Sequence, residues 1–478
     1  MTTSSSLERD AGRPRLGLFA PIASALLLAG CASLGGDGGF SSLQHTAAKQ
    51  LGKSVQVSKT AGDQRGIDQR VDELLGQTLS ADSAVQIALL NNPGLQASFQ
   101  DLGIAEAEMV QASRLPNPGF SIARMGRGGE REIERRFSFD LGHLIALPLT
   151  RQLENRRFAS EQARVSMQMF SLAADSRKAF YAAVAAEQSA RYMRDVRAAA
   201  DAGAELAKRM TQTGNWTKLQ QAREHGFFSA AVLNAARSES VRVASRERLI
   251  RLMGLWGAQT RFTLPDRLPD LPGEPQDRPD IEQVAMAQRL DVQAAKQQAE
   301  VTAKNLGLSR VTRFVNALEF GYMRNSSNEQ PRQTGYEISI EIPLFDWGDA
   351  RIAKAEAIYM QSVQRAAQTA IEARSEVREA YLSYRSTYDI ARHYRDDIVP
   401  TSKRISDENL LRYNGMFISV FELLADARAQ IAAVNSSIEA LRDFWLAQAD
   451  LDMALIGKPS PTVSASAGLV TGTAGPAH

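Results

Sequence analysis

Two hydrophobic periods organise this chain. In "GYEISIEIPL", Tyr336, Ile338, Ile340 and Ile342 alternate with Glu337, Ser339 and Glu341. In "ALEFGYM", Leu318, Phe320 and Tyr322 alternate with Glu319 and Gly321. Phe137, Phe139 and Leu141 stand against Arg136, Ser138 and Asp140. A period of two gives a strand one oily and one wet face. With the less regular "GFSIARM", these runs predict two β-hairpins, at about 117–149 and 315–344, with loops near 126–134 and 325–334.

The second period is helical. From Met360, the positions Val363, Ala367, Ala370, Val377, Tyr381, Tyr384, Tyr388 and Ala391 follow steps of three and four, broken only at Arg374. Met169, Ala173, Phe180, Ala183 and Ala190 form a weaker stripe upstream. Steps averaging 3.5 residues predict a left-handed coiled-coil seam. Each such helix runs ~60 residues, about 90 Å at 1.5 Å per residue, so it must lie against others along its length. A shorter helix is expected from about Ser80 to Arg114, interrupted at Asn91-Asn92-Pro93 and ended by Pro116 and Pro118.

The elements come twice. Ile87-Ala88-Leu89 matches Val284-Ala285-Met286, Pro148-Leu149 matches Pro343-Leu344, and Arg156 matches Arg351. Ala190-Arg191 matches Ala391-Arg392, Gly214 matches Gly415, and Gly254 matches Gly457. The order is common and the offset nearly fixed, which indicates duplication. The first repeat covers 79–264 and the second 280–457, each a β-hairpin with long helices. The joint at 265–279, "PDRLPDLPGEPQDRP", carries five prolines and cannot form a regular helix. Residues 31–78 read as an extended polar segment, and 458–478 as a disordered, low-complexity tail.

Two hairpins supply four strands. The same alternation would serve a soluble sheet laid on a core. If the sheet lies in lipid, four strands are too few to close a barrel, and open edges are not tolerated there. Several chains must then share one barrel, with Asp140, Glu319, Glu337 and Glu341 facing its watery inside.

Composition narrows the chemistry. The 478 residues include 56 basic and 54 acidic side chains, a formal net charge of +2, so nucleic acid is not an expected partner. The five histidines are His45, His143, His225, His393 and His478, and no cluster has metal-ligand spacing. No nucleophile and base can be named, so neither an enzyme nor a cofactor is expected. Gly126-Arg127-Gly128-Gly129 is too short for a phosphate loop, and "SRERLIRL" reads as a solvated helix face.

Cys31 is the only cysteine, and it ends an uncharged run that follows Arg13 and Arg15. Leu16–Ala29 has the length of a signal-peptide core and is short for a membrane helix. Leu28-Ala29-Gly30-Cys31 resembles the bacterial lipobox, which makes 1–30 a lipoprotein signal peptide and Cys31 the acylated (palmitate-bearing) new N-terminus. The residue after Cys31 is Ala32, not Asp, which points to the outer membrane. The alternative is an ordinary signal peptide beside a chance cysteine.

Duplicated halves, a lipobox, two hairpins and long coiled-coil helices together resemble the TolC family of outer-membrane efflux channels. "AVQIALLNNPGLQA" is similar to its opening signature, "IPLFDWGDARIAKAEA" to its passage from hairpin to long helix, and "YNGMFISVFELLADARAQ" to its periplasmic turn. The resemblance implies an α+β membrane protein: a homotrimer whose twelve strands form one barrel and whose helices form a periplasmic tunnel. It implies a passive duct, fed by an inner-membrane pump through a periplasmic adaptor. The helical tips would be the turns at Gly214 and Gly415, with Phe417 and Phe421 as candidate adaptor contacts. Glu422 and Asp426, four residues apart on one helix face, would be candidate gate acids. The first repeat departs from the pattern: "TGNWTKLQQAREHG" lacks the acid expected after the turn. A periplasm-facing coiled-coil lipoprotein, serving as a structural tether, is the alternative reading.

Overall fold

A computed structural model describes residues 35–311, 318–340 and 347–459. Cys31, Glu341 and Ile342 lie outside them, as do residues 1–30, expected as a signal peptide, and most of 458–478.

The described chain is mainly helical with one small sheet. In order, it forms α1 (Phe40–Leu51), α2 (Ala61–Leu75), α3 (Ala81–Asn91), α4 (Pro93–Ala112), β1 (Gly119–Arg127), β2 (Glu130–Asp140), α5 (Leu141–Gln212) and α6 (Lys218–Met253). The second half forms α7 (Ile281–Gln288), α8 (Leu290–Val311), β3 (Leu318–Ser327), β4 (Gln333–Ile340), α9 (Asp349–His393), α10 (Val399–Asn414) and α11 (Val420–Ile456). A π-helical turn, Tyr394–Ile398, joins α9 to α10. Pro400 has no N–H to give the Asp396 carbonyl, which accounts for an irregular turn there.

Two compact units emerge. The first, drawn from 102–161 and 300–360, holds the sheet, whose strands run antiparallel in the order β1-β2-β3-β4. The first loop is tighter than its pattern suggests. Arg127 pairs with Glu130, leaving only Gly128-Gly129 as the turn, and Gly128 takes φ 62°, as a two-residue hairpin turn demands. The first hairpin also ends earlier than 149. Asp140 accepts a hydrogen bond from the His143 amide at 2.8 Å, so helix begins at Leu141 and carries Pro148 inside it.

The second unit holds the helical cores. One core gathers Ile67, Val71, Ile87, Phe180, Val184 and Leu249. Another gathers Ile281, Val377, Tyr384, Tyr388, Phe444 and Leu451. The extended segment expected at 31–78 is instead two helices joined by an extended stretch. Thr60 and Asp63 form a capping box that starts α2, and Ile67 and Val71 are buried four residues apart. The polar composition hides those few apolar positions.

The seam keeps four of its predicted positions, Val377, Tyr384, Tyr388 and Ala391, and takes Ala373 and Ala380 in place of Arg374 and Tyr381. Ala373, Val377, Ala380, Tyr384, Tyr388 and Ala391 are buried, an average step of about 3.6 residues, the pitch of a straight helix. Arg374 is therefore no interruption: it is exposed and lies 3.7 Å from Glu282. In the first repeat Met169, Ala173, Phe180, Ala183 and Ala190 are all buried, as their spacing predicts.

Two sequence features serve as fasteners. Asn91 donates to the carbonyls of Met253 and Gly254, and Asn92 to that of Leu252, so the Asn-Asn-Pro break caps the end of α6. The proline-rich joint straps the second repeat: Tyr388 donates to the Gly273 carbonyl at 2.6 Å, Trp445 to the Pro269 carbonyl at 3.1 Å, and the Gln276 amide to the Tyr384 hydroxyl at 3.1 Å.

Arg289, which caps the end of α7, is fully buried. Its guanidinium meets Asp291 at 2.6 Å and Glu376 at 2.7 Å, and donates to the Ala373 and Ala454 carbonyls. One side chain thereby joins α7, α8, α9 and α11. Arg289→Ala removes the ionic partner of Asp291 and leaves Glu376 with only Lys458, at 3.9 Å, and a loss of about 3 kcal/mol is expected. Denaturant unfolding measures it; a loss below ~1 kcal/mol would contradict this role.

Candidate channel wall and helical turns

The strand register sorts the sheet into two unlike faces. Direct partners share a face, so the rows Phe120–Phe137–Tyr322–Tyr336, Phe139–Phe320–Ile338 and Leu318–Ile340 lie together. This face is not packed on a core: Phe120 is 58% exposed, Ile122 62%, Ile340 63% and Tyr336 76%. Full burial of one such side chain is worth about 1.5–3 kcal/mol, so the face withholds on the order of 10 kcal/mol from a lone chain in water.

The opposite face is polar. Asp140, Glu319 and Glu337 share it, as alternation predicts, and Glu132 and Glu134 join them. The last two escape the sequence pattern because β2 begins upstream of the run first recognised as strand. Asp140 sits opposite Glu319 and doubles as the cap of α5. Glu337 is tied to Arg136 at 3.2 Å, and Asn325 donates to both Glu132 and Glu134. The edges of β1 and β4 have no partner strand among the described residues.

The helix-to-helix turns differ in a way their shared glycine conceals. After α5, Gly214 takes φ 79°, and the Asn215 amide reaches the Met210 carbonyl at 2.9 Å. That is the left-handed helix stop expected of glycine. Gly415 instead has φ −80°, and the left-handed residue is Met416, at φ 60°. The matching bond runs from the Phe417 amide to the Arg412 carbonyl at 2.9 Å, so the stop lies one residue past the glycine. Gly415 lies close beneath the Phe417 ring, 2.8 Å from where a Cβ would stand, so a larger residue there would turn this exposed ring aside. Phe417 and Met416 are almost wholly exposed, while the side chain of Phe421 lies outside the described residues.

The helices after the turns start alike, at Thr217 and Ser419, each side chain accepting from the amide three residues on. Glu422 is exposed in the first turn of α11, where a negative charge favours the helix dipole. Asp426 is half-buried and accepts a hydrogen bond from the Asn409 side chain on α10. Aligning the two caps brings Glu224 onto Asp426, which supplies an acid to the first repeat after all. Glu224 is 2% exposed and meets Arg428 of α11 at 2.6 Å; the Arg428 guanidinium lies 4.4 Å from the Phe227 ring. Glu224 is concealed in a motif search because it stands one turn later than Glu422. Only the caps give its alignment. Among the described residues no three of His, Cys, Asp and Glu gather as a metal site would need, and no helix is long and apolar enough to cross a membrane.

No protein-family model matches this chain, nor does any curated protein. Solved structures do. The open state of the Neisseria gonorrhoeae MtrE outer membrane channel aligns with TM-score 0.65 at 18% identity, over 79% of this chain and 90% of that one. The Campylobacter jejuni CmeC outer membrane channel aligns with TM-score 0.64 at 15% identity, over 84% and 89%. CusC, described in terms of folding and transmembrane channel formation, aligns with TM-score 0.65 at 18% identity, over 79% and 92%. The chain carries the fold of these outer-membrane channels, and the resemblance drawn from its sequence holds at that level.

Arg428→Ala strands Glu224 in a buried site. The cost is expected near the lower end of the range for a broken buried pair, about 3 kcal/mol, because Arg428 itself is a third exposed. Hydrogen exchange should quicken first around 218–230 and 420–432. Unchanged protection there would show that the pair does not hold the two helices.

Proposed function

We propose that this chain is one protomer of an outer-membrane channel in an efflux or secretion system. It acts as a passive exit duct, without catalysis. The observation that carries this reading is a four-stranded sheet with an exposed apolar face, a charged opposite face and two edges that have no partner strand among the described residues. A barrel shared by several copies satisfies all three at once, since closure pairs the edges, lipid covers the apolar face and water fills the charged inside. Three copies supply twelve strands, as the resemblance implies.

In this assembly Asp140, Glu319, Glu337 and Glu341 line the barrel. The turns at Gly214 and Gly415, with Phe417 and Phe421, form the tip that meets a periplasmic adaptor. The adaptor joins the duct to an inner-membrane pump, which supplies the energy and selects the cargo. Glu422 is the stronger of the two gate candidates, because Asp426 already has a partner in Asn409. Cys31 carries the lipid that anchors the chain to the outer membrane.

Two experiments test the assembly and the anchor. Detergent-extracted protein should have the mass of a trimer and should make lipid vesicles permeable to small solutes. A monomer that leaves vesicles tight would falsify the proposal and favour the tether. Cells fed radiolabelled palmitate should label this protein but not its Cys31→Ala variant, whose pore activity after extraction should persist. Equal labelling of the two would remove Cys31 as the lipidation site.

A further inference from the structure

The apolar sheet face changes character toward the hairpin turns. Beyond the aromatic row Phe120–Phe137–Tyr322–Tyr336 comes the row Ile122–Arg135–Arg324–Thr334, then Arg124–Ile133–Ser326, then Gly126–Arg131. Four arginines therefore share the face that carries the exposed aromatic side chains, and no acid shares it with them. The acids of these strands all fall on the opposite face.

Such a cluster is costly without a counter-charge. Arg135 and Arg324 are direct cross-strand partners, and like charges directly opposite destabilise a sheet. Arg124 is paired with Ile133, so Arg131 and Arg135 are both its diagonal neighbours, about 7–8 Å away. Among the described residues the one side-chain polar contact that any of the four makes on this face is from Arg135 to the Ser326 hydroxyl, at 3.3 Å, which brings no negative charge.

We propose that this end of the apolar face binds a phosphate-bearing anionic lipid, with Arg124, Arg131, Arg135 and Arg324 holding its headgroup. The inference rests on the sheet lying in a membrane. Arginine's planar fork grips phosphate oxygens in pairs, and one phosphate between Arg135 and Arg324 removes their repulsion. A lipid fits better than a free anion because the cluster continues directly into the aromatic and aliphatic rows, where acyl chains lie. Aromatic side chains also mark the level at which hydrocarbon gives way to headgroups, and arginine is tolerated at that level but not at mid-bilayer. The headgroup ligands thus stand where headgroups are.

The test compares full-length detergent-extracted protein with its Arg124→Gln/Arg135→Gln/Arg324→Gln variant. Native mass spectrometry reads retention of phosphatidylglycerol against phosphatidylcholine of the same chains. The unmodified protein should retain phosphatidylglycerol in preference by about tenfold or more, and the variant should lose that preference. The Lys counterpart of the variant, with charge kept but the fork lost, should fall between. Equal retention of both lipids by the unmodified protein overturns the proposal, as does a variant whose preference is unchanged. Displacement of the lipid by millimolar inorganic phosphate alone overturns it in favour of a soluble-anion site. A vesicle-permeability assay on the same samples separates the two levels: pores without lipid preference sink this inference only, whereas no insertion sinks it together with the channel.

Discussion

Unpaired backbone at the two ends of a small sheet is the constraint on which the rest turns. The outer edges of β1 and β4 present N–H and C=O groups that, in lipid, cost several kcal/mol apiece if left unmet. The sheet also turns an apolar face outward, so water is no better a home for it. In the proposed assembly a strand from another copy would meet the edge groups, and a bilayer would meet the face. Neither remedy works alone, since an isolated four-stranded ribbon in lipid keeps its raw edges and a soluble oligomer keeps its oily surface. The charge pattern follows the same division, with the acids on one face and the four arginines at the rim of the other.

The helical unit solves a different problem. A helix as long as α5 gains little from propensity and must be held sideways. Among the described residues α5 is held by the first-repeat core and by a smaller cluster of Val196, Ala200 and Ala231, and the cores of both repeats draw on α11. Beside the second core the buried Arg289 collects two carboxylates and two carbonyls from α8, α9 and α11, a set of partners complete enough to tolerate burial. The proline-rich joint adds backbone carbonyls to which tyrosine and tryptophan donate. It is a strap on the second core as much as a link between repeats.

At the helical turns the two repeats reach similar ends by different means. The first stops its helix on a glycine, Gly214, and the second stops on Met416, one residue past its glycine. Each repeat then places an acid one turn into the following helix, and each acid is already held, Glu224 by Arg428 and Asp426 by Asn409. These contacts tie α10 to α11 and α6 to α11 near the turns. Glu422, outside that network, keeps its charge exposed.

Local pattern carried a long way. Alternation at Tyr336–Ile340, the duplicated order of elements, the Asn-Asn-Pro break and the glycine turns were all legible, because each depends on residues within a few positions of one another. The helices within 35–78 left few apolar positions to mark them, and two seam positions, Ala373 and Ala380, fall one residue from the pattern because 3.5 and 3.6 are hard to tell apart over a few turns. By itself, then, the sequence determined the kinds of elements, their order and their oily and wet faces. Tertiary structure decided which charges meet: Arg135 beside Ser326, 191 positions away, and Arg428 on Glu224, 204 positions away. Such partners are chosen by strand register and helix packing, which bring distant residues together and leave no local trace in the chain.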